Sequence, residues 1–221
     1  MSHRRENKVI RFVVLALIFV MIAGELYVSA GKGLQNVLEV KTRMAVESGA
    51  PIPDYTPQGT QPRKGELKKS EAALPSVGSC YGTIRCNRID LNAPLYYGDT
   101  DEILSKGAGQ YIGSSLPGEG RPILVGAHDI GYFAPLEEIE EGDIIHVKTS
   151  YGAFRYRVAD TRIGYASDIG KKELSRSKEE LILYTCYPFG TLTEEKARRY
   201  FVAAEKIEGP VLKEDLDESA Q

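Results

Sequence analysis

A thiol and an imidazole held side by side can carry acyl transfer, so the three cysteines and three histidines of this 221-residue sequence come first. His3 sits in a basic leader, which leaves His128 and His146. His146 falls within residues 143–149, whose alternation marks a strand, and it reads as a structural or surface residue. His128 follows the apolar run Ile123-Leu124-Val125-Gly126-Ala127 and precedes Asp129 and a turn at Gly131. A histidine just beyond a core strand is rigidly held at the mouth of a fold, where a general base is useful. Cys186 has the same setting, after the β-rich run 180–185 and before Tyr187-Pro188-Phe189-Gly190. Its competing reading is a small buried hydrophobe. The proline that ends ladder bonding just beyond it favours a thiol open to substrate. Cys80 and Cys86 stand six residues apart on an extended run, which separates their Cα atoms by about 20 Å. A disulfide needs less than about 7 Å, so these two do not pair with each other. A thiol–imidazole pair also needs a donor for the oxyanion. Arg198-Arg199 opens the last apolar run, and strand alternation turns one of the two toward the site and the other away.

Positioning these groups requires a rigid frame, and the sequence supplies short strands rather than helices. Residues 81–85, 93–97, 123–126, 143–149, 153–159, 180–185 and 199–207 read as strands. Turn chemistry separates them at Gly98-Asp99-Thr100, Pro117-Gly118-Glu119-Gly120 and Glu141-Gly142-Asp143. Many short strands in about 130 residues predict a mainly β domain, a single closed barrel or sandwich. The chain is long enough to bury its own core. A formal net charge of −3 excludes a generally basic nucleic-acid binder. No Cys-x-x-Cys or Cys/His cluster at zinc spacing and no cofactor motif is present, so neither metal nor cofactor is expected.

The average composition hides a local anomaly. Arg4, Arg5 and Lys8 precede a stretch, 9–30, that is apolar apart from Arg11 and Glu25. Its length from Phe12 to Ala30 is close to the roughly 20 residues a helix needs to cross a bilayer. The basic flank predicts a cytoplasmic N-terminus and an exported remainder. A cleaved signal peptide competes, because Val28-Ser29-Ala30 resembles a cleavage site, and a buried core helix is a third reading. The reading adopted is a cytoplasmic leader over 1–8 and a transmembrane signal-anchor over 9–30. A helical stalk and Pro-rich linker over 31–78, a catalytic domain over 79–210 and a flexible acidic tail over 211–221 follow.

At this point the residues carry a resemblance. Leu183-Tyr184-Thr185-Cys186 is similar to the T-L-x-T-C motif of sortases, with His128 and an arginine in that family's order around it. Tyr81-Gly82-Thr83-Ile84, Leu95-Tyr96-Tyr97-Gly98-Asp99 and residues 107–118 add to the likeness, and Thr185-Cys186-Tyr187-Pro188-Phe189 looks like the class D branch. Arg199-Tyr200-Phe201-Val202 matches the class D placement of the arginine, whereas Arg198 matches the class A spacing. The family usually shows Gly-His-Arg or Gly-His-Asn where this chain has Ala127-His128-Asp129. Asp129 therefore either meets a different substrate amine or caps a turn.

The resemblance implies a membrane-anchored cysteine transpeptidase of Gram-positive surfaces, built on a closed β-barrel of about eight strands. Cys186 would attack an LPxTG-like sorting signal of a secreted protein, His128 would shuttle the proton and Arg199 would hold the oxyanion. Ala127 and Thr185 would shape the substrate groove. The acceptor would be an amine of lipid-linked peptidoglycan precursor or of a pilin. A non-catalytic surface module and a plain cysteine endopeptidase on the same barrel are the alternatives.

Overall fold

Glycine- and proline-punctuated apolar runs fold here as strands, and their order closes a barrel. The computed structural model describes residues 14–25, 27, 65–191 and 197–215. Its strands are β1 (Glu66–Lys68), β2 (Cys80–Cys86), β3 (Leu91–Tyr97), β4 (Ala108–Gln110), β5 (Ile123–Gly126), β6 (Ile144–Thr149), β7 (Ala153–Tyr165), β8 (Glu180–Tyr187), β9 (Arg198–Glu208) and β10 (Val211–Lys213). Eight of them form a closed barrel in the order β2-β3-β4-β5-β8-β9-β7-β6. Closure removes the exposed edges that an open sheet would present. The pairs β3–β4 and β5–β8 are parallel, and the other barrel pairs are antiparallel.

The expected mainly β barrel is the fold observed, with longer strands than the alternation predicts. β7 continues to Tyr165 because its pairing with β9 persists to Tyr165↔Arg198. β8 likewise runs through Cys186 to Tyr187, opposite Arg199 and Arg198 of β9. The folded body also reaches beyond residues 79–210 on both sides. Glu66–Lys68, expected as spacer, pairs in parallel with Val211–Lys213, expected as the start of the tail. Leu67 and Leu212 are the reason, since both are buried against the core and anchor an otherwise polar strand pair.

The barrel interior packs Ile84, Leu95, Val125, Val147, Tyr156, Leu183 and Val202. A second, smaller cluster of Leu124, Ile182 and Phe201 lies apart from it, with Tyr111, Ile169, Leu174 and Tyr184 packed around. Strand alternation places this cluster on the outer face, because its members interleave with the interior residues along β5, β8 and β9. Every residue of β5 is therefore buried, as expected for a strand covered on both faces.

A separate unit holds helix α1 over residues 14–25, whose large apolar side chains are exposed. Among the described residues no helix is long and apolar enough to cross a membrane. The rest of the expected 9–30 segment, and the linker from 31 to 64, lie outside the described residues.

Candidate active site

Three neighbouring strands, β5, β8 and β9, bring the predicted groups together. Cys186, near the end of β8, stands directly opposite Arg199 of β9 in an antiparallel pair. Directly opposed residues share a face, so thiol and guanidinium project from the same side of the sheet. Arg198 is opposite Tyr187 instead, one pleat away on the other face, and is exposed. The register thus separates the two arginines that spacing alone left open. Arg199 also donates through Nη1 to the Arg198 carbonyl at 3.0 Å.

On the other side of β8, the parallel register runs from Ile123↔Leu181 to Gly126↔Tyr184. β5 ends there, and His128 follows Gly126 by two residues as Cys186 follows Tyr184 by two. The chain leaves the strand there in a defined way, because the His128 carbonyl accepts from the Gly131 N–H at 3.1 Å and the Phe133 N–H at 3.2 Å. Nucleophile and arginine thus share one face of a strand pair, and His128 follows the end of the strand on the other side of β8.

Thr185 and Ala127, expected to shape the groove, do something different. Thr185 has the parity of Leu181 and Leu183, faces the interior and is 1% exposed. Its hydroxyl donates to the Ala127 carbonyl at 2.7 Å. The two residues brace the strand of the nucleophile to the end of the strand before the base, both of them buried. Asp129 resolves in the same direction. Its carboxylate, in a residue 7% exposed, accepts the Gly190 N–H at 2.9 Å and so caps the turn that follows Cys186.

His146 lies on β6, outside these three strands. Cys80 and Cys86 sit at opposite ends of β2 as free thiols, which agrees with the extended-chain argument. Burial pushes the Cys86 thiol above its ordinary value, the reverse of what a nucleophile needs. Among the described residues no group of His, Cys, Asp and Glu is arranged to hold a metal ion.

Two features of the site escaped sequence reasoning. Tyr184 shares the face of Cys186, two residues away, and its ring closes on β5 so tightly that a Cβ at Gly126 would meet it at 2.7 Å. Burial drives the Tyr184 phenol upward, Asp99 adds to this and the Arg199 charge opposes it. Period-two alternation would have revealed Tyr184. The second feature had no local signal. In the connection between β7 and β8, Glu173 is 0% exposed and pairs with both Arg162 and Arg176, the latter at 3.0 Å. Arg162 in turn stacks 4.4 Å from the centre of the Phe201 ring. Ile169 and Leu174, in the same connection, pack against the outer cluster of Leu124, Ile182 and Phe201.

Known proteins meet this geometry with the same framework. A family model for the sortase domain matches residues 84–207, more than half of the chain. The chain belongs to the sortase family. Its residues 29% identical to sortase D of Bacillus subtilis (strain 168) extend over 194 positions, 86% of this chain and 96% of that relative. The likeness supports a class D-like sortase, and sortases are cysteine transpeptidases. Sortase C from Clostridium perfringens SM101 shares the fold with a TM-score of 0.54 and 22% identity, over 81% of this chain and 90% of that one. The SrtF sortase from Corynebacterium diphtheriae does so with a TM-score of 0.55 and 20% identity, over 67% and 91%. A further Clostridium perfringens sortase C structure, with a TM-score of 0.54, contains the C-terminal cell wall sorting motif.

Proposed function

We propose that this sortase cleaves an LPxTG-like sorting signal of secreted proteins through a thioacyl intermediate on Cys186. The acyl group then passes to an amine of lipid-linked peptidoglycan precursor or of a pilin. The observation that supports this reading is the cross-strand pair of Cys186 and Arg199 on β8 and β9, with His128 two residues beyond the end of β5, the other neighbour of β8. The Cys186 thiolate attacks the scissile carbonyl, and the Arg199 guanidinium, on the same face, stabilises the oxyanion. His128 protonates the departing amine and then deprotonates the incoming one. Exchange of one amide for another requires that water be kept from the intermediate. The buried outer cluster of Leu124, Ile182 and Phe201, against which Tyr184 packs, lies on the face of β8 that carries Cys186 and extends away from it along the strand. Residues 9–30 act as the membrane anchor, with residues 1–8 cytoplasmic and the barrel outside the cell. The exposed apolar side chains of α1 support that role.

Mass spectrometry of the enzyme mixed with sorting-signal peptides tests the reading. The expected result is an acyl adduct on Cys186, lost in Cys186→Ala and retained in Cys80→Ala and Cys86→Ala, and ligated product when an amine is added. Hydrolysis alone in saturating amine would identify an endopeptidase instead, and an adduct on Cys80 or Cys86 would overturn the assignment.

A further inference from the structure

Closure of the barrel leaves one length of strand edge open. β7 lies between β9 and β6, but β6 pairs with it only from Ala153 to Arg157. The backbone bonding on that side ends at Val158. Its N–H donates to the Asp143 carbonyl at 2.9 Å, and its carbonyl accepts the Gly142 N–H at 2.8 Å. On the other side β9 stays paired with β7 from Asp160 to Tyr165. Among the described residues no strand pairs with the opposite edge of that stretch. The end of the strand shows which groups point there. The Ala166 N–H donates to the Ala197 carbonyl at 3.0 Å, toward β9, whereas the Tyr165 N–H turns the other way, to the Asp168 carboxylate at 3.2 Å. Successive residues of a strand alternate in this respect, so Thr161 and Ile163 also aim N–H and C=O at the open edge. The side chains beside those groups are apolar and exposed, Ile163 at 48% and Tyr165 at 58%. Tyr200 stands opposite Ile163 on the same face and packs 5.3 Å from the Phe189 ring. Soluble proteins usually cover an edge of this kind.

We propose that this edge receives, as an added strand, the segment of the exported substrate that immediately precedes its sorting signal. The inference rests on the transpeptidase reading above and extends the substrate contact beyond the signal itself. β8, β9 and β7 are successive neighbours, so a strand added to β7 lies three spacings from β8. That is about 14 Å, which four or five extended residues cover. The L-P-x-T half of the signal is of that length. Its direction follows from the base. His128 follows β5, on one side of β8, so the amine departs and arrives there. The acyl half, and the chain before it, then extend toward β9 and β7. Main-chain bonds to Thr161 and Ile163 supply affinity, and the face of Ile163 and Tyr165 favours β-branched or aromatic residues at alternate positions. A second copy of this chain is the weaker occupant. Residues 161–165 are too short an edge to bury the roughly 1,000 Å² that a stable pair of proteins needs. A chain already held at the thiol needs much less, because its second contact is intramolecular.

The test compares three acyl donors on the full chain in detergent micelles, by steady-state ligation to an added amine. One is an LPxTG-like peptide alone. The second carries before the signal about ten residues of alternating valine and serine, the length of a long strand. The third carries a glycine–serine extension of the same length, which has little strand propensity. We expect the valine–serine extension to lower KM about fivefold or more against the glycine–serine one, with kcat little changed. Methylating the amides of that extension one at a time should remove the gain at every second position only, the period of a paired strand. Ile163→Pro deletes an N–H from the open edge and leaves the β9-facing groups of Arg162 and Gly164 in place. It should abolish the gain while the bare signal reacts as before. Should that variant not fold, the methylation series in the unaltered chain decides. Equal KM for the two extensions, methylation losses without the two-residue period, or a full gain in folded Ile163→Pro overturns the proposal. Self-association by sedimentation that Ile163→Pro abolishes, with no gain from the extension, overturns it in favour of a second copy. Failure of the bare signal to form a thioacyl enzyme instead overturns the transpeptidase reading, and this inference with it.

Discussion

The bond from the Thr185 hydroxyl to the Ala127 carbonyl ties the strand carrying the nucleophile to the one leading to the base, and Thr185→Val removes only that bond. Valine matches threonine in shape and branches at Cβ, so neither a cavity nor a loss of strand propensity enters. What remains is a buried carbonyl deprived of its donor, a loss of about 1–3 kcal/mol. For a chain of this size about 2 kcal/mol lowers Tm by about 4–8 °C. The functional effect is larger than the stability effect, because the bond sets the height of His128 against Cys186. Misplacement of a reacting group by about 1 Å lowers rate by about a hundredfold. We therefore expect kcat for transpeptidation to fall about ten- to a hundredfold with KM little changed. Thr185→Ser keeps the donor and removes one buried methyl, which destabilises by about 1 kcal/mol, and it should retain most of the activity. Steady-state ligation of a sorting-signal peptide to an added amine, with thermal unfolding alongside, makes the comparison. A valine variant with lowered Tm but undiminished kcat refutes the alignment argument, and a serine variant as slow as valine shows that the hydroxyl is not what matters.

Other positions give independent outcomes. Arg199→Lys should reduce kcat by about a hundredfold or more, as expected for an oxyanion donor, whereas Arg198→Lys, on the opposite face, should leave it near wild type; single-turnover kinetics separates them. Glu173→Gln removes a carboxylate that engages Arg162 and Arg176, whose side chains are 21% and 29% exposed. That exposure reduces the usual cost of breaking a buried pair to about 1–2 kcal/mol. Faster hydrogen exchange over residues 166–178 and a raised peptide KM should follow, and unchanged exchange would show that the clasp does not hold the connection. Asp143 is held below the ordinary carboxylate range by its hydrogen bonds from Arg88, with burial opposing. A depressed folded-state pKa means that stability is present above the unfolded value near 3.9 and is lost as pH falls through the folded one. Asp143→Asn should therefore flatten the acid limb of a stability-versus-pH curve below about pH 4, while an unaltered limb would place that loss elsewhere.

The barrel was legible because strand alternation and turn residues are local. Residues 123–126 and 180–185 reported their strands through apolar runs that only burial on both faces explains. Strand ends were less legible. β7 outlasts its own alternation only because β9 pairs with it to Tyr165, and β1 exists only because Leu212, some 145 residues away, gives Leu67 a partner to pack beside.

Sequence by itself determined the inventory of the site: a histidine after one core strand, a cysteine near the end of another and an arginine pair opening the last. Those follow from residue types next to strand signals, which need no partner to be read. Tertiary structure decided which arginine shares the face of the thiol, because cross-strand register is a property of two strands and not of either alone. It also decided that Thr185 and Ala127 brace the site from within, and that Asp129 caps the turn after Cys186. The Glu173 clasp belongs to the same category. It assembles charges from separate elements whose mutual distance no local pattern encodes.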